Sequence, residues 1–152
     1  MAFFSKKKDL LPKAAQEAVV AAIRVAEAGT SGELRVFVER HCPWVDAMDR
    51  ARELFEKLDM HLTDQRNGIL IYLATDDHQF AIIGDEAIFT HAGGPVFWEA
   101  AALQMRDFLR NGLLAEALVA AIQELGRALA THFPPMPGIN KNELPDDIVF
   151  GK

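Results

Sequence analysis

Apolar residues recur at every third or fourth position in two early stretches of the chain, and this spacing predicts two helices. In "LLPKAAQEAVVAAIRVAEAG", Pro12 lies in the first turn and Gly29 at the end, the positions that these residues favour. "PWVDAMDRARELFEKLDMHLT" separates apolar from charged side chains in the same way. Between the helices "SGELRVFVER" alternates, and Leu34, Val36 and Val38 fall on one face. This alternation predicts a strand with that face buried.

Two more strands and two long helices follow. "NGILIYLA" is apolar throughout, which is typical of a central strand covered on both faces. "QFAIIG" is a second apolar run, and the intervening "TDDH" favours a turn because Asp side chains bond readily to nearby backbone N–H groups. "GPVFWEAAALQMRDFLRNG" and "LLAEALVAAIQELGRALATHF" return to helical spacing. After "PPMPG", only "IVF" remains as a candidate strand.

This order of elements predicts an α/β fold, a three-layer α/β/α sandwich around a small mixed sheet. The first two strands are joined through a helix, so they should be parallel with a right-handed crossover. The third strand returns antiparallel through the "TDDH" turn, and helices cover both faces. The chain has 152 residues and is 50% apolar, enough for one core. We predict a flexible basic N-terminus at 1–9, one domain at 10–138 and a C-terminal tail at 139–152.

The net charge and the single cysteine narrow the functional classes. At −6 the chain is acidic, which argues against nucleic-acid binding. Cys42 is the one cysteine, so no intramolecular disulfide forms and nothing indicates an oxidising compartment. "AFFSKKK" lacks the order of a secretory signal, and no apolar run has the length of a membrane span. We therefore expect a cytoplasmic protein, with at most weak contact between its basic N-terminus and a membrane surface.

The predicted strand directions divide the acidic residues of "TDDHQFAIIGDEAI" between two ends of the sheet. The first two strands end together, and ligands favour the carboxyl ends of parallel strands in open α/β sheets. Two readings compete at this end: Asp76 and Asp77 either bind a ligand or simply form the hairpin turn. The polar residues predicted to gather here are Arg40, His41, Cys42, Asp76, Asp77 and His78.

The third strand finishes at the opposite end of the sheet, where Asp85 and Glu86 should approach Glu33. Carboxylate oxygens are the ligands that Ca²⁺ and Mg²⁺ prefer, and a divalent ion would relieve the repulsion between clustered acids. Two readings without a metal stay open. Asp85 is well placed to cap the short helix that follows it, and Arg35 and Arg66 are able to neutralise the acids.

Several stretches in combination resemble the TPM domain family. They are "SGELRVFVE", "RNGILIYLA", "DDHQFAIIGD" and the later pattern "FW…M…F…G…AL…AI…G…L…HFP", while the ending "NELPDDI" is similar to that of a soluble bacterial subgroup without a membrane anchor. The resemblance implies an α/β/α domain with an acidic pocket, divalent-cation binding in some members and acid phosphatase activity in plant thylakoid members. The resemblance implies that the acidic residues of this pocket are Glu33, Asp76 or Asp77, and Asp85. His91 departs from the family pattern, which has an Asp in that region.

We therefore expect a binding or accessory module that holds a divalent cation, Ca²⁺ or Mg²⁺, or an unknown protein partner. The convergence of Glu33, Asp85 and Glu86 places this site at the Asp85 end of the sheet. One alternative is an assembly protein that uses its terminal arms as contacts. A further alternative is a weak metal-dependent acid phosphatase, in which the metal polarises a phosphoryl oxygen. The chain has no GxSxG, HExxH, P-loop or CxxC motif, so the sequence leaves open whether it is an enzyme. The predicted metal ligands are Glu33, Asp85, Glu86, Asp76 and Asp77.

Overall fold

The computed structural model describes residues 10–136 and 148–151. The helices are α1 (Lys13–Ala28), α2 (Ala47–Lys57), α3 (Glu86–His91), α4 (Glu99–Arg110) and α5 (Leu114–His132), with 3₁₀ turns at Met60–Leu62 and Gly94–Trp98. The strands are β1 (Glu33–Glu39), β2 (Gly68–Ala74), β3 (Gln79–Gly84) and β4 (Val149–Phe150). The predicted N-terminal segment 1–9 and the predicted boundary at 138 lie outside the described residues.

The described strands form one mixed sheet in the order β3-β2-β1-β4. β1 runs parallel to β2, in register from Glu33 opposite Gly68 to Glu39 opposite Ala74. β3 pairs antiparallel with β2 through the turn after Ala74. The predicted parallel pair and hairpin strand are thus confirmed. The "IVF" segment provides the fourth strand, where Val149 and Phe150 pair parallel with β1.

Helices cover both faces of the sheet, which confirms the predicted three-layer sandwich. On one face α1, α4 and α5 pack against alternate residues of β1 and β2, with Leu34, Ile69 and Ile71 fully buried. On the other face α2 packs against Phe37 and Tyr72. Because both faces of β2 are covered, all seven of its residues are buried, which explains its uninterrupted apolar sequence.

Most of the polar side of β1 is buried as well. Glu33, Phe37 and Glu39 alternate with the apolar residues of this strand, and each is at most 5% exposed. Phe37 and Tyr72 stack with ring centroids 6.1 Å apart on this face. A buried carboxylate costs free energy unless charged or hydrogen-bonding groups surround it. Glu39 lies at the end of the sheet where β1 and β2 finish, so groups at this end must compensate its charge.

Candidate functional site

The turn between β2 and β3 is fastened to the loop that follows β1. The Thr75 backbone N–H donates to the Glu39 carbonyl at 2.9 Å, and the Asp76 N–H donates to the Arg40 carbonyl at 2.9 Å. These bonds continue the parallel β1–β2 ladder beyond the strands themselves. They hold Asp76 and Asp77 against the residues after β1, as the predicted strand directions require.

Asp77 joins the turn to this loop through its side chain. Its Oδ2 accepts from the Cys42 backbone N–H at 2.6 Å, and its Oδ1 lies 2.9 Å from His41 Nδ1. The hydrogen bond with His41, and then the one with the Cys42 backbone, lower the pKa of Asp77 below its ordinary value. Asp77 is therefore a carboxylate that stays ionised in mildly acidic solution.

Asp76 lies beside Asp77 and faces the same imidazole. Its Oδ2 is 3.7 Å from His41 Nε2 and 3.4 Å from Arg40 Nη1. The side chains of Asp76, Asp77 and His41 are 42%, 31% and 66% exposed. Two carboxylates that are open to solvent thus converge on one imidazole at the carboxyl ends of two parallel strands.

A buried polar network underlies this surface. Glu39 accepts from Arg50 Nε at 2.9 Å and Nη2 at 3.0 Å, and the Tyr72 hydroxyl donates to the same carboxylate. Glu53 accepts from Arg50 Nη1 at 2.6 Å and from Trp44 Nε1 at 2.8 Å. The hydrogen bond with Glu39 raises the pKa of Arg50, while burial and then Glu39 raise the pKa of Tyr72. These hydrogen bonds stabilise the layer of side chains beneath the candidate site.

At the opposite end of the sheet, Asp85 is bound by an arginine. Its two oxygens accept from Arg66 Nε at 2.8 Å and Nη2 at 2.9 Å, and Oδ1 also accepts from the Glu86 backbone N–H at 2.7 Å. The predicted role of Asp85 as a helix cap is therefore confirmed. Arg66 neutralises Asp85, as one of the two readings without a metal predicted. Glu86 Oε2 lies 3.4 Å from Arg66 Nη1. The hydrogen bond with Asp85 raises the pKa of Arg66.

Glu33 and Asp85 lie on either side of the start of β2. Glu33 is opposite Gly68 in the parallel register, and the Asp85 N–H donates to the Gly68 carbonyl at 2.9 Å. Glu33 is fully buried and Asp85 is 5% exposed. Within residues 10–136 and 148–151, no group of three or more His, Cys, Asp or Glu has an arrangement suited to a metal ion. The predicted ligands therefore lie in two separate places, and metal binding stays a prediction.

Comparison with known proteins identifies the family. The family model described as the TPM domain matches residues 5–128. The chain belongs to the TPM domain family. Its structure is similar to the NMR structure of the BA42 protein from the psychrophilic bacterium Bizionia argentinensis. The two are 35% identical with a TM-score of 0.82, and the match covers 99% of this chain and 97% of that one.

A second solved structure is similar to this TPM domain in its fold alone. The N-terminal domain of the cg2496 protein from Corynebacterium glutamicum is 14% identical, with a TM-score of 0.65 and coverage of 85% and 86%. No curated protein matches this chain. Among the described residues, none of the helices is long and apolar enough to cross a membrane.

Sequence reasoning located both groups of acids but missed the residues that organise them. The network of Glu39, Arg50 and Tyr72 was absent from the predicted site. The sequence contained one signal for this network. Glu39 lies on the same face of β1 as Phe37, so a buried Phe37 implies a buried carboxylate. Arg50 came from the charged side of α2, and nothing in the local pattern pairs it with β1.

The depressed pKa of Asp77 predicts a specific dependence of stability on pH in this TPM domain. A carboxylate with a lowered folded-state pKa stabilises the fold above its ordinary value of 3.8, and this contribution is lost as pH falls through the folded-state value. The Tm of Asp77→Asn should therefore lie below that of the wild type near neutral pH, with the gap closing below about pH 4. Thermal unfolding from neutral to strongly acidic pH measures the gap.

Asp107→Asn is the matched control, because Asp107 is an exposed Asp on α4, outside both the β2–β3 turn and the loop that Asp77 contacts. Its Tm difference from the wild type should be small throughout. If the Tm of Asp77→Asn stays below that of the wild type by the same amount down to the lowest pH, the ionised carboxylate of Asp77 does not contribute to stability.

Proposed function

We propose that this TPM domain is a binding module that takes a divalent cation, Mg²⁺ or Ca²⁺, at Asp76 and Asp77. The observation that supports this most strongly is the convergence of two solvent-accessible carboxylates beside His41 at the ends of β1 and β2. Their location agrees with the preference of ligands for the carboxyl ends of parallel strands. In this proposal the domain acts as an accessory module, and the bound ion is part of its contact surface.

The donor set suits a hard cation with a large share of water ligands. Mg²⁺ is commonly held by one or two protein carboxylates and keeps several waters, while Ca²⁺ takes six to eight oxygens in a flexible arrangement. Asp76 and Asp77 supply two such carboxylates, and their exposure leaves room for water. Arg40 neutralises part of this charge and His41 hydrogen-bonds to Asp77, so an ion competes with both side chains. A site with so few protein ligands should be weak, with a Kd on the order of 10⁻³ M.

The group at Glu33, Asp85 and Glu86 is the second choice for the ion. Both oxygens of Asp85 already accept hydrogen bonds from Arg66, and one also caps α3. An ion there would have to displace a guanidinium that binds through two nitrogens, the strongest form of carboxylate pairing. Glu33 is fully buried, which raises the cost of access further.

Titration with Ca²⁺ and Mg²⁺, followed through backbone amide chemical shifts, tests the proposal. We expect saturable shifts at 40–42 and 75–78. They should disappear in the double variant Asp76→Asn, Asp77→Asn and persist in Asp85→Asn, which removes the same kind of charge at the other end of the sheet. Unchanged shifts at both segments up to about 10 mM ion, tenfold above the expected Kd, would reject the site.

The other functional expectations from the sequence stay predictions. The terminal arms of the assembly hypothesis consist largely of residues 1–9 and 137–147, outside the described residues. Acid phosphatase activity and the cytoplasmic location likewise await their own experiments.

A further inference from the structure

A cleft of about 540 Å³ lies between the β2–β3 turn and the end of α4. This volume is within the range of about 300–1,000 Å³ that is typical of small-molecule sites. The chain as a whole is acidic, with 22 Asp and Glu against 16 Lys and Arg, but the described lining of this cleft contains no carboxylate. The charge of the cleft is thus opposite to that of the protein. The described residues that line it are His78, Phe80, Arg106, Leu109, Arg110 and Gly112.

Two arginines of α4 give the cleft its positive charge. Arg106 and Arg110 are four residues apart, so they share one face of the helix with Cβ atoms about 5–6 Å apart, and their like charges repel each other. Both residues are exposed, and neither forms an ion pair with a described carboxylate, whereas Arg66 and Arg127 are both paired. An anion between the two guanidinium groups would remove this repulsion and accept hydrogen bonds from both.

The usual structural role of arginines at a helix end is already filled by other groups. The Asn111 N–H donates to the Phe108 carbonyl at 3.1 Å, and the Gly112 N–H donates to the Leu109 carbonyl at 3.0 Å. The Asn111 side chain donates to the Asp107 carbonyl at 3.0 Å. These three carbonyls at the end of α4 therefore have donors without the two guanidinium groups, which leaves the latter available to an outside anion.

Phe80 and Leu109 supply the apolar part of the lining. Both side chains are half-buried and pack against the core cluster on the α1, α4 and α5 side of the sheet, so the core holds them in place. An apolar ligand group that covers their exposed parts gains free energy through the hydrophobic effect. Arginine guanidinium groups also stack on aromatic rings. The cleft therefore combines positive charge with an apolar surface.

His78 brings a further hydrogen-bond donor to the cleft. Its φ of 55° lies in the left-handed region, which residues other than glycine rarely adopt. The turn before it is held in place, because the Asp76 N–H donates to the Arg40 carbonyl and Asp77 accepts from the Cys42 N–H. An imidazole carries at least one N–H in either charge state. His78 is therefore positioned to donate to an oxyanion in the cleft.

We propose that this cleft binds a small organic carboxylate with an apolar body, such as an aromatic acid. The carboxylate accepts hydrogen bonds from Arg106 and Arg110, and the imidazole of His78 is the third donor. The apolar body of the ligand lies against Phe80 and Leu109. Arginine forks bind carboxylates through two nitrogens, which gives the cleft its preference for this group. The inference does not depend on the proposed cation site, because neither carboxylate of that site lines the cleft.

Benzoate is the probe, added to the full chain in a metal-free buffer that contains no other organic anion. We expect saturable amide shifts at 78–80 and 106–112, with a Kd on the order of 10⁻³ M because a ligand of so few atoms has limited affinity. Acetate lacks the aromatic body and benzamide lacks the charge. Each should bind at least about tenfold more weakly than benzoate.

Variants test which side chains hold the carboxylate. Arg106→Gln combined with Arg110→Gln should weaken benzoate binding at least about tenfold, the scale of one lost charge-assisted hydrogen bond. Both side chains are exposed, so the double variant is expected to fold. Arg127→Gln is the matched control, because it removes an exposed arginine on α5 and should leave the affinity for benzoate unchanged.

Three results would overturn the proposal. The first is equal affinity of the double variant and the wild type for benzoate. The second is equal affinity of the wild type for benzoate and either acetate or benzamide, which would indicate a simple anion site or a purely apolar one. The third is the absence of shifts at 78–80 and 106–112 up to about 10 mM benzoate, tenfold above the expected Kd.

Discussion

Replacing Glu39 by alanine is expected to lower the free energy of unfolding by about 3 kcal/mol, the low end for breaking a buried ion pair. The change leaves Arg50 without its principal carboxylate and the Tyr72 hydroxyl without its acceptor. The Arg50 side chain is only 15% exposed, so water recovers little of the lost interaction. Urea denaturation of the wild type and the variant measures the difference.

Glu53→Ala is the matched control, since Glu53 also pairs with Arg50 but is far more accessible than Glu39. Its effect should be clearly smaller. Replacing Glu39 and Arg50 together by methionine should recover part of the loss, because an apolar pair leaves no uncompensated charge. A loss below about 1 kcal/mol in Glu39→Ala would mean that this ion pair is worth no more than an exposed one.

Gly126→Ala is expected to destabilise the protein by about 1–2 kcal/mol, even though alanine is favoured over glycine by about 1 kcal/mol in a helix. The reason is the contact between α5 and α1. A Cβ added at Gly126 would lie 2.7 Å from Ala26 Cβ and 3.3 Å from Ala26 Cα, so the two helices would have to separate. Denaturation midpoints and slopes give the change in stability.

A double-mutant cycle with Ala26→Gly isolates this contact. Ala26→Gly alone should cost about 1 kcal/mol through helix propensity. Combined with Gly126→Ala, it removes the clashing Cβ and exchanges the two propensities, so the double variant should be close to the wild type. Additive losses in the double variant would show that the destabilisation does not come from the α1–α5 contact.

Much of the fold was predictable because strand and helix patterns here agree with their burial. β2 is apolar along its whole length and is covered on both faces, and the acids after Ala74 form the hairpin turn. β4 was only a candidate because two residues carry too little pattern to distinguish a strand from a loop. Its pairing depends on Phe37 and Val38 of β1, far away in the sequence.

The candidate site was predictable only in part. Strand direction separated Asp76 and Asp77 from Asp85, and the structure places them at opposite ends of the sheet. Which arginine neutralises which acid depends on side-chain reach in three dimensions, so Arg66 was one of two alternatives and Arg50 was not considered.

The most direct test of the proposed cation site is paramagnetic line broadening by Mn²⁺, a cation that shares the preference of Mg²⁺ for oxygen ligands. Broadening marks the position of the bound ion on the protein. We predict that substoichiometric Mn²⁺ broadens the amide signals of 40–42 and 75–78, leaves those of 66–68 and 85–87 sharp, and loses its effect in the Asp76→Asn, Asp77→Asn variant. Broadening centred on Asp85, or unaltered broadening in that variant, would contradict the account.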